Sequence, residues 1–240
     1  MSNRSSLLLL IHGALMDRSS MLTLVPHLPA SHLFLCVDLA GHGTREMEHL
    51  HLSNMSPHHL AKDLLDIHPI REIASTIPVQ LIGHSLEGLV AMEVVKLLLD
   101  RGTTRLASLI LGDPPLYIDL NTPSQESAAI HLWNNPIGKR IAKDCFFDFE
   151  TANPASGSQS IYLNRLVELA KIIPIHLFHG LLPWHHRDDG SSDCGTFLSV
   201  DNIDITKQKG SEINFHAISD AGHFVFHTKQ GINQLVNCIT

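Results

Sequence analysis

The sequence predicts an α/β protein built on a mostly parallel sheet with helices on both faces. Three observations carry that expectation. Short, unbroken apolar runs recur along the chain, as in strands buried on both faces. Helix-like segments lie between them, and strands alternating with helices imply right-handed crossovers onto a parallel sheet. The polar and glycine signals His12, Asp38, Ser85, Asp113 and Gly180 fall where those runs end, which is where ligands bind in such sheets.

In chain order, Leu7–Ile11 is a continuous apolar run ending at His12-Gly13-Ala14. Ser19 or Ser20 caps a short helix with Met21, Leu22, Val25 and Leu28 on one side. Leu33–Val37 reads as the next strand and stops at Asp38-Leu39-Ala40-Gly41-His42-Gly43. Ser56-Pro57 starts a helix, with proline at its first position. That helix runs through Leu60, Leu64 and Leu65, and Pro69 breaks it before a second piece over residues 70–77. Pro78 bounds a buried strand over 79–83, and a helix follows from Leu86. Residues 106–111 form another strand, stopped by Gly112-Asp113-Pro114-Pro115. Residues 116 to about 160 hold several breaks and no strand-like run, which predicts a helical insertion. Residues 161–173 predict a helix, 175–179 a strand, and 181–211 a polar loop. Residues 212–218 are the last strand, followed by Ala221-Gly222-His223-Phe224 and a short C-terminal helix.

A chain of 240 residues suffices for one domain with a full core, so residues 1–240 are expected to form a single domain carrying the insertion. The net charge of −7, with histidine neutral, argues against nucleic acid and against an anionic membrane surface. Residues 1–6 are polar and the run after them is too short for a signal peptide, and no run approaches membrane-spanning length. Cys36, Cys145, Cys194 and Cys238 are far apart and form no CxxC pair. Cys36 is expected to be a buried thiol, and a reducing, cytoplasmic location is expected. The adjacent pairs His58-His59 and His185-His186 do not match zinc-ligand spacing, so no metal is expected.

The chemistry concentrates in Gly83-His84-Ser85-Leu86-Glu87-Gly88. A strand turning sharply into a helix exposes its turn serine, and the helix N-terminus behind it favours developing negative charge. The alternative reading is that Ser85 only caps the helix, which serine does well. Glu87 stands two residues after the serine, where strand and helix approach closely. It is expected to fit by turning its side chain out of the elbow, where an acid in the first helical turn contributes about 0.3–1 kcal/mol.

His12-Gly13, Asp38-Leu39-Ala40-Gly41-His42-Gly43, Gly83-His84-Ser85, Asp113-Pro114-Pro115 and Ala221-Gly222-His223-Phe224 together resemble the α/β-hydrolase family in order and spacing. The resemblance implies an α/β-hydrolase fold with a helical cap at about 116–160. The first hairpin of the family is absent, which implies a sheet of about six strands. It also implies Ser85 as nucleophile, His223 as general base, and the backbone N–H groups of Ala14 and Leu86 as the oxyanion hole. The triad acid stays open. Asp113 is favoured because it ends the preceding strand, while Asp188, Asp189 and Asp193 lie in a polar stretch beyond Gly180. Asp38 and His42 are expected to brace the rim. Trp133, Phe146, Phe147 and Phe149 either line an acyl pocket or form the cap's own core.

Three functions follow from this reading. The first is a serine hydrolase acting on a small-molecule carboxylic ester or thioester through an acyl-enzyme, with no cofactor. The second is a lyase of the same fold, of the menaquinone-pathway or hydroxynitrile type. The third is a non-catalytic ligand binder, motivated by Glu87 and by the lack of an acid immediately after Gly180.

Overall fold

Six parallel strands form the sheet: β1 (Leu7–Ile11), β2 (Leu33–Val37), β3 (Val79–His84), β4 (Leu106–Gly112), β5 (Ile175–Gly180) and β6 (Ile213–Ile218). Their spatial order is β6-β5-β4-β3-β1-β2. This computed structural model describes residues 6–117, 130, 132–145, 147–148, 153–154, 158–183, 185–186, 192–193 and 195–239.

The strand order positions the site. From β1 the chain runs outward to β2, crosses back over β1 to β3, and continues through β4, β5 and β6 in the opposite direction. The loops leaving β1 and β3 therefore diverge, and a crevice opens between them at the carboxyl ends of the strands. Ile11 pairs with Gly83 and His84 with Gly112, so Ala14, Ser85 and Asp113 all emerge at one edge.

Alternation along the strands divides the core in two. Leu7, Leu9 and Ile11 face one apolar cluster, while Leu8 and Leu10 face the other. The first cluster packs α2 (Pro57–Ile67), α3 (Ile70–Thr76) and α4 (Leu86–Asp100) on the sheet. It also takes in α5 (Pro136–Cys145), α6 (Ser158–Ala170) and α7 (Val200–Lys209). The second cluster packs α1 (Arg18–Leu22) and α8 (Lys229–Cys238) on the opposite face. Residues Leu86 to Val95 of α4 are buried on every side, as expected of a helix sandwiched between sheet and other helices.

Most sequence expectations hold, with the following corrections. Asp17, rather than Ser19 or Ser20, caps α1, its side chain accepting the Ser19 N–H. Residues 200–209 form α7 where a loop is expected. Its buried positions are few (Ile203 and Thr206), so its apolar period is faint, and it starts from the Ser199 side chain accepting the Asn202 N–H. The insertion carries a two-residue antiparallel ladder, 147–148 with 153–154, beside its helix. The helix expected from residue 161 begins at Ser158. Cys36 is only half-buried, because β2 is an edge strand. Leu22 also faces solvent, while Met21, Leu24 and Leu28 are buried.

Candidate active site

Ser85 stands at the junction of β3 and α4 with φ 59° and ψ −134°. A non-glycine residue there is strained by roughly 1–3 kcal/mol and persists only where its surroundings hold it. Three contacts do so. The Ser85 N–H donates to the Gly112 carbonyl at 2.7 Å. A Cβ on Gly83 would lie 2.7 Å from the Glu87 carbonyl and 2.9 Å from the Cα of Gly88, so strand and helix meet where only glycine fits. A Cβ on Gly88 would lie 3.0 Å from Pro114, which closes the other side. The Ser85 side chain makes no helix-cap hydrogen bond, which removes the reading that it is merely a cap.

His223 and Asp113 meet directly. The Nδ1 of His223 lies 2.7 Å from Oδ2 of Asp113, with both residues buried. Asp113 also accepts the Phe197 N–H at 2.8 Å, the Thr196 hydroxyl at 2.7 Å and the Leu198 N–H at 3.3 Å. A carboxylate with this many donors is held in one orientation. Asp113 itself has φ 45°, and its own N–H donates to the Phe178 carbonyl. Its place directly after Gly112, the residue that holds the Ser85 N–H, brings the pair to the elbow. Asp188 and Asp189 lie outside the described residues, and so do Cys194, Phe146 and Phe149. The side chains of Phe147 and Asp193 lie outside them as well.

His84 is a positioning residue that motif reading passes over. Its Nε2 lies 2.9 Å from the His223 carbonyl, and the two rings are 4.8 Å apart. Burial pushes its pKa well below the usual imidazole value, so it is neutral, and donation to a carbonyl places its proton on Nε2. The residue before the expected nucleophile thus holds the histidine loop against the elbow. Gly180 allows the same approach from β5: a Cβ there would lie 2.0 Å from the Gly222 carbonyl. Phe197 packs on the other face of the His223 ring at 4.0 Å. Among the described residues, Ser85 Oγ makes no hydrogen bond to the imidazole. Such contacts are often long in unliganded sites and tighten when substrate binds.

The expected oxyanion donors sit on the loops that leave β1 and β3. Neither the Ala14 nor the Leu86 N–H donates to a backbone carbonyl among the described residues. A Cβ on Gly13 would lie 2.8 Å from His84 Nδ1, so the β1 loop presses directly on the elbow. His12 locks that loop from below. Its Nδ1 contacts the Gly13 carbonyl at 2.9 Å and its Nε2 accepts the Leu39 N–H at 3.3 Å, which fixes a neutral tautomer. Asp38 braces the rim as expected, accepting the Arg18 N–H and both the N–H and hydroxyl of Thr44. Beside this loop a cleft of about 390 Å³ is lined by Leu15, Met16, His42, Asn135 and Ile137. Trp133 packs against the main core, with Lys139 and Lys143 over its ring.

Glu87 departs from expectation. Its side chain does not leave the elbow: the residue is fully buried, and neither carboxyl oxygen has a hydrogen-bond partner. Burial raises its pKa well above the usual carboxylate range; the nearby backbone N–H groups of Glu87 and Ala14 pull the other way, though neither makes a full hydrogen bond. Burial therefore favours its neutral form. In that form it sets no negative charge against an oxyanion, and it forgoes the helix-dipole stabilisation expected of a carboxylate.

This fold and site define the class of the protein. The sequence model of the alpha/beta hydrolase family matches residues 8–232, and the chain belongs to that family. No curated protein matches the chain. Among solved structures it is similar to a marine microorganism esterase (TM-score 0.64, 16% identity, 98% of this chain and 95% of that one). It is also similar to the thioesterase domain of the curacin biosynthetic pathway (TM-score 0.60, 18% identity, 98% and 91%). A peroxisomal α/β-hydrolase of Saccharomyces cerevisiae gives a TM-score of 0.65 at 14% identity, covering 99% and 77%. At these identities the likeness is one of fold.

Proposed function

We propose that this protein is a serine hydrolase that cleaves a small-molecule carboxylic ester or thioester through an acyl-enzyme. The observation that carries the proposal is the 2.7 Å contact of His223 with Asp113, made at the strand end that also holds the strained Ser85. Asp113 keeps the Nδ1 proton in place, so Nε2 is the basic nitrogen. The Ser85 hydroxyl attacks the carbonyl carbon as His223 takes its proton. The oxygen that becomes negative is met by the N–H groups of Leu86 and Ala14. His223 then returns the proton to the departing alcohol or thiol. Water, deprotonated by the same imidazole, hydrolyses the acyl-enzyme and frees Ser85.

The chemistry needs only side chains and water. The free thiols Cys36, Cys145 and Cys238 support a reducing, cytoplasmic setting, and among the described residues no helix is long and apolar enough to cross a membrane.

A fluorophosphonate probe tests the proposal. Folded wild type is expected to label at Ser85 and to hydrolyse p-nitrophenyl butyrate, and Ser85→Ala to do neither. If the folded wild type resists the probe and matches Ser85→Ala on esters, the hydrolase reading is wrong.

A further inference from the structure

On the face of the sheet covered by α8, three side chains from three separate elements converge. His176 comes from β5, His216 from β6 and Cys238 from the last turn of α8. His176 Nδ1 lies 3.0 Å from His216 Nε2, and Cys238 Sγ lies 3.6 Å from the same nitrogen. All three ligand atoms lie within 4.8 Å of one another. The geometry points to a zinc-type divalent metal site in which His176 Nδ1, His216 Nε2 and Cys238 Sγ bind one ion.

Two of the three spacings, 3.0 Å and 3.6 Å, lie near those that a single ion sets, and His176 and Cys238, within 4.8 Å, close on it as it binds. Tetrahedral zinc, with nitrogen at about 2.0–2.1 Å and thiolate at about 2.3 Å, sets N···N at about 3.3 Å and N···S at about 3.6 Å. Hydrogen bonding alone satisfies the cluster poorly. His216 Nε2 offers one in-plane position, a lone pair or an N–H according to tautomer, and both His176 and Cys238 approach it. An ion between the three atoms accepts a lone pair from each. The thiol proton leaves to solvent as the Sγ–metal bond forms.

The surroundings favour the same reading. Gln234 sits four residues before Cys238, on the same face of α8 and near the His216 ring. Phe178 stacks on His216 at 4.5 Å and fixes the ring from below. Cys238 is buried, while His176 and His216 are half-buried, so an ion has a path in and water can fill a fourth position. The cluster is separate from the elbow: His176 lies four residues before Gly180, roughly 13 Å along the strand. An ion here would clasp the C-terminal helix to the β5–β6 edge. Sequence spacing could not find it, since the ligands stand 40 and 22 residues apart.

Cobalt(II) and zinc(II) added to tag-free, metal-stripped protein test the site. One equivalent of cobalt is expected to bind with a thiolate-to-cobalt charge-transfer band. That band should vanish in Cys238→Ser and persist in Cys36→Ser. Zinc should raise the Tm of wild type, and His176→Gln should lower its zinc affinity at least tenfold. The half-exposed His176 keeps the test open if Cys238→Ser fails to fold. A folded wild type that shows no charge-transfer band with equimolar cobalt would overturn the site. So would a band that survives in Cys238→Ser, or a His176→Gln variant that binds zinc like wild type.

Discussion

Replacing Asp113 by asparagine probes the centre of the candidate site. The carboxylate receives four contacts, two on each oxygen: His223 Nδ1 and the Phe197 N–H on Oδ2, and the Thr196 hydroxyl and the Leu198 N–H on Oδ1. An amide keeps one oxygen. If that oxygen faces Thr196 and Leu198, the new NH₂ group meets the Phe197 N–H and donates to His223. The imidazole then accepts at Nδ1 and carries its proton on Nε2, where it cannot deprotonate Ser85. If the amide turns over, its NH₂ group opposes the Leu198 N–H instead. In the first orientation the Phe197 N–H loses its acceptor inside the protein, which costs about 1–3 kcal/mol, whereas in the second the Leu198 N–H keeps the Thr196 hydroxyl at 3.3 Å. The wrong tautomer is expected to lower kcat by about 10⁴. Urea unfolding measures the first effect, and p-nitrophenyl butyrate turnover with fluorophosphonate labelling measures the second. Asp188→Asn and Asp189→Asn serve as controls and should retain activity. A folded Asp113→Asn protein with turnover near wild type, or the same loss in either control, would refute this account of the acid.

Other consequences concern pH and packing. His42 is held to a pKa of about 4 from an ordinary 6.5, first by burial and then by neighbouring His12. The unfolded chain takes up that proton sooner, so stability is full above pH 6.5 and declines toward pH 4, by about 3 kcal/mol. The urea midpoint of His42→Gln should fall less steeply over that window; parallel slopes would contradict it. Glu87 shifts the opposite way. The folded protein keeps its proton while the unfolded chain loses it, so stability declines as pH rises above the ordinary carboxylate range. Glu87→Gln should gain on wild type between pH 5 and 8 in urea midpoints, and a constant difference would show that Glu87 is not neutral in the fold. Gly180→Ala puts a methyl against the Gly222 and Ala221 carbonyls, so the His223 loop must shift. Fluorophosphonate labelling should slow sharply while the circular dichroism is retained. Labelling at the wild-type rate would show that this close approach does not position His223.

Much of this molecule was legible before any coordinates. The apolar runs at residues 7–11 and 79–83 announced buried parallel strands because a strand covered on both faces needs no polar alternation. The positions of His12, Ser85, Asp113 and His223 at the ends of such runs marked the crevice. Weak periodicity hid α7, since only two of its residues are buried. The supporting contacts were hidden for another reason. Thr196, Phe197 and Leu198 reach Asp113 across more than eighty residues, and no local pattern encodes such a pairing.

By itself the sequence determined the periodicities, and with them the α/β class and the residue types offered at each strand end, while the family resemblance implied the sheet of about six strands. Tertiary structure decided which of those residues meet. It chose Asp113 as the carboxylate on His223, turned Glu87 inward, and gathered His176, His216 and Cys238 beneath α8. The physical reason is range. Strand and helix propensities act within a few residues, whereas burial, charge state and ligand geometry depend on neighbours brought together only when distant segments pack.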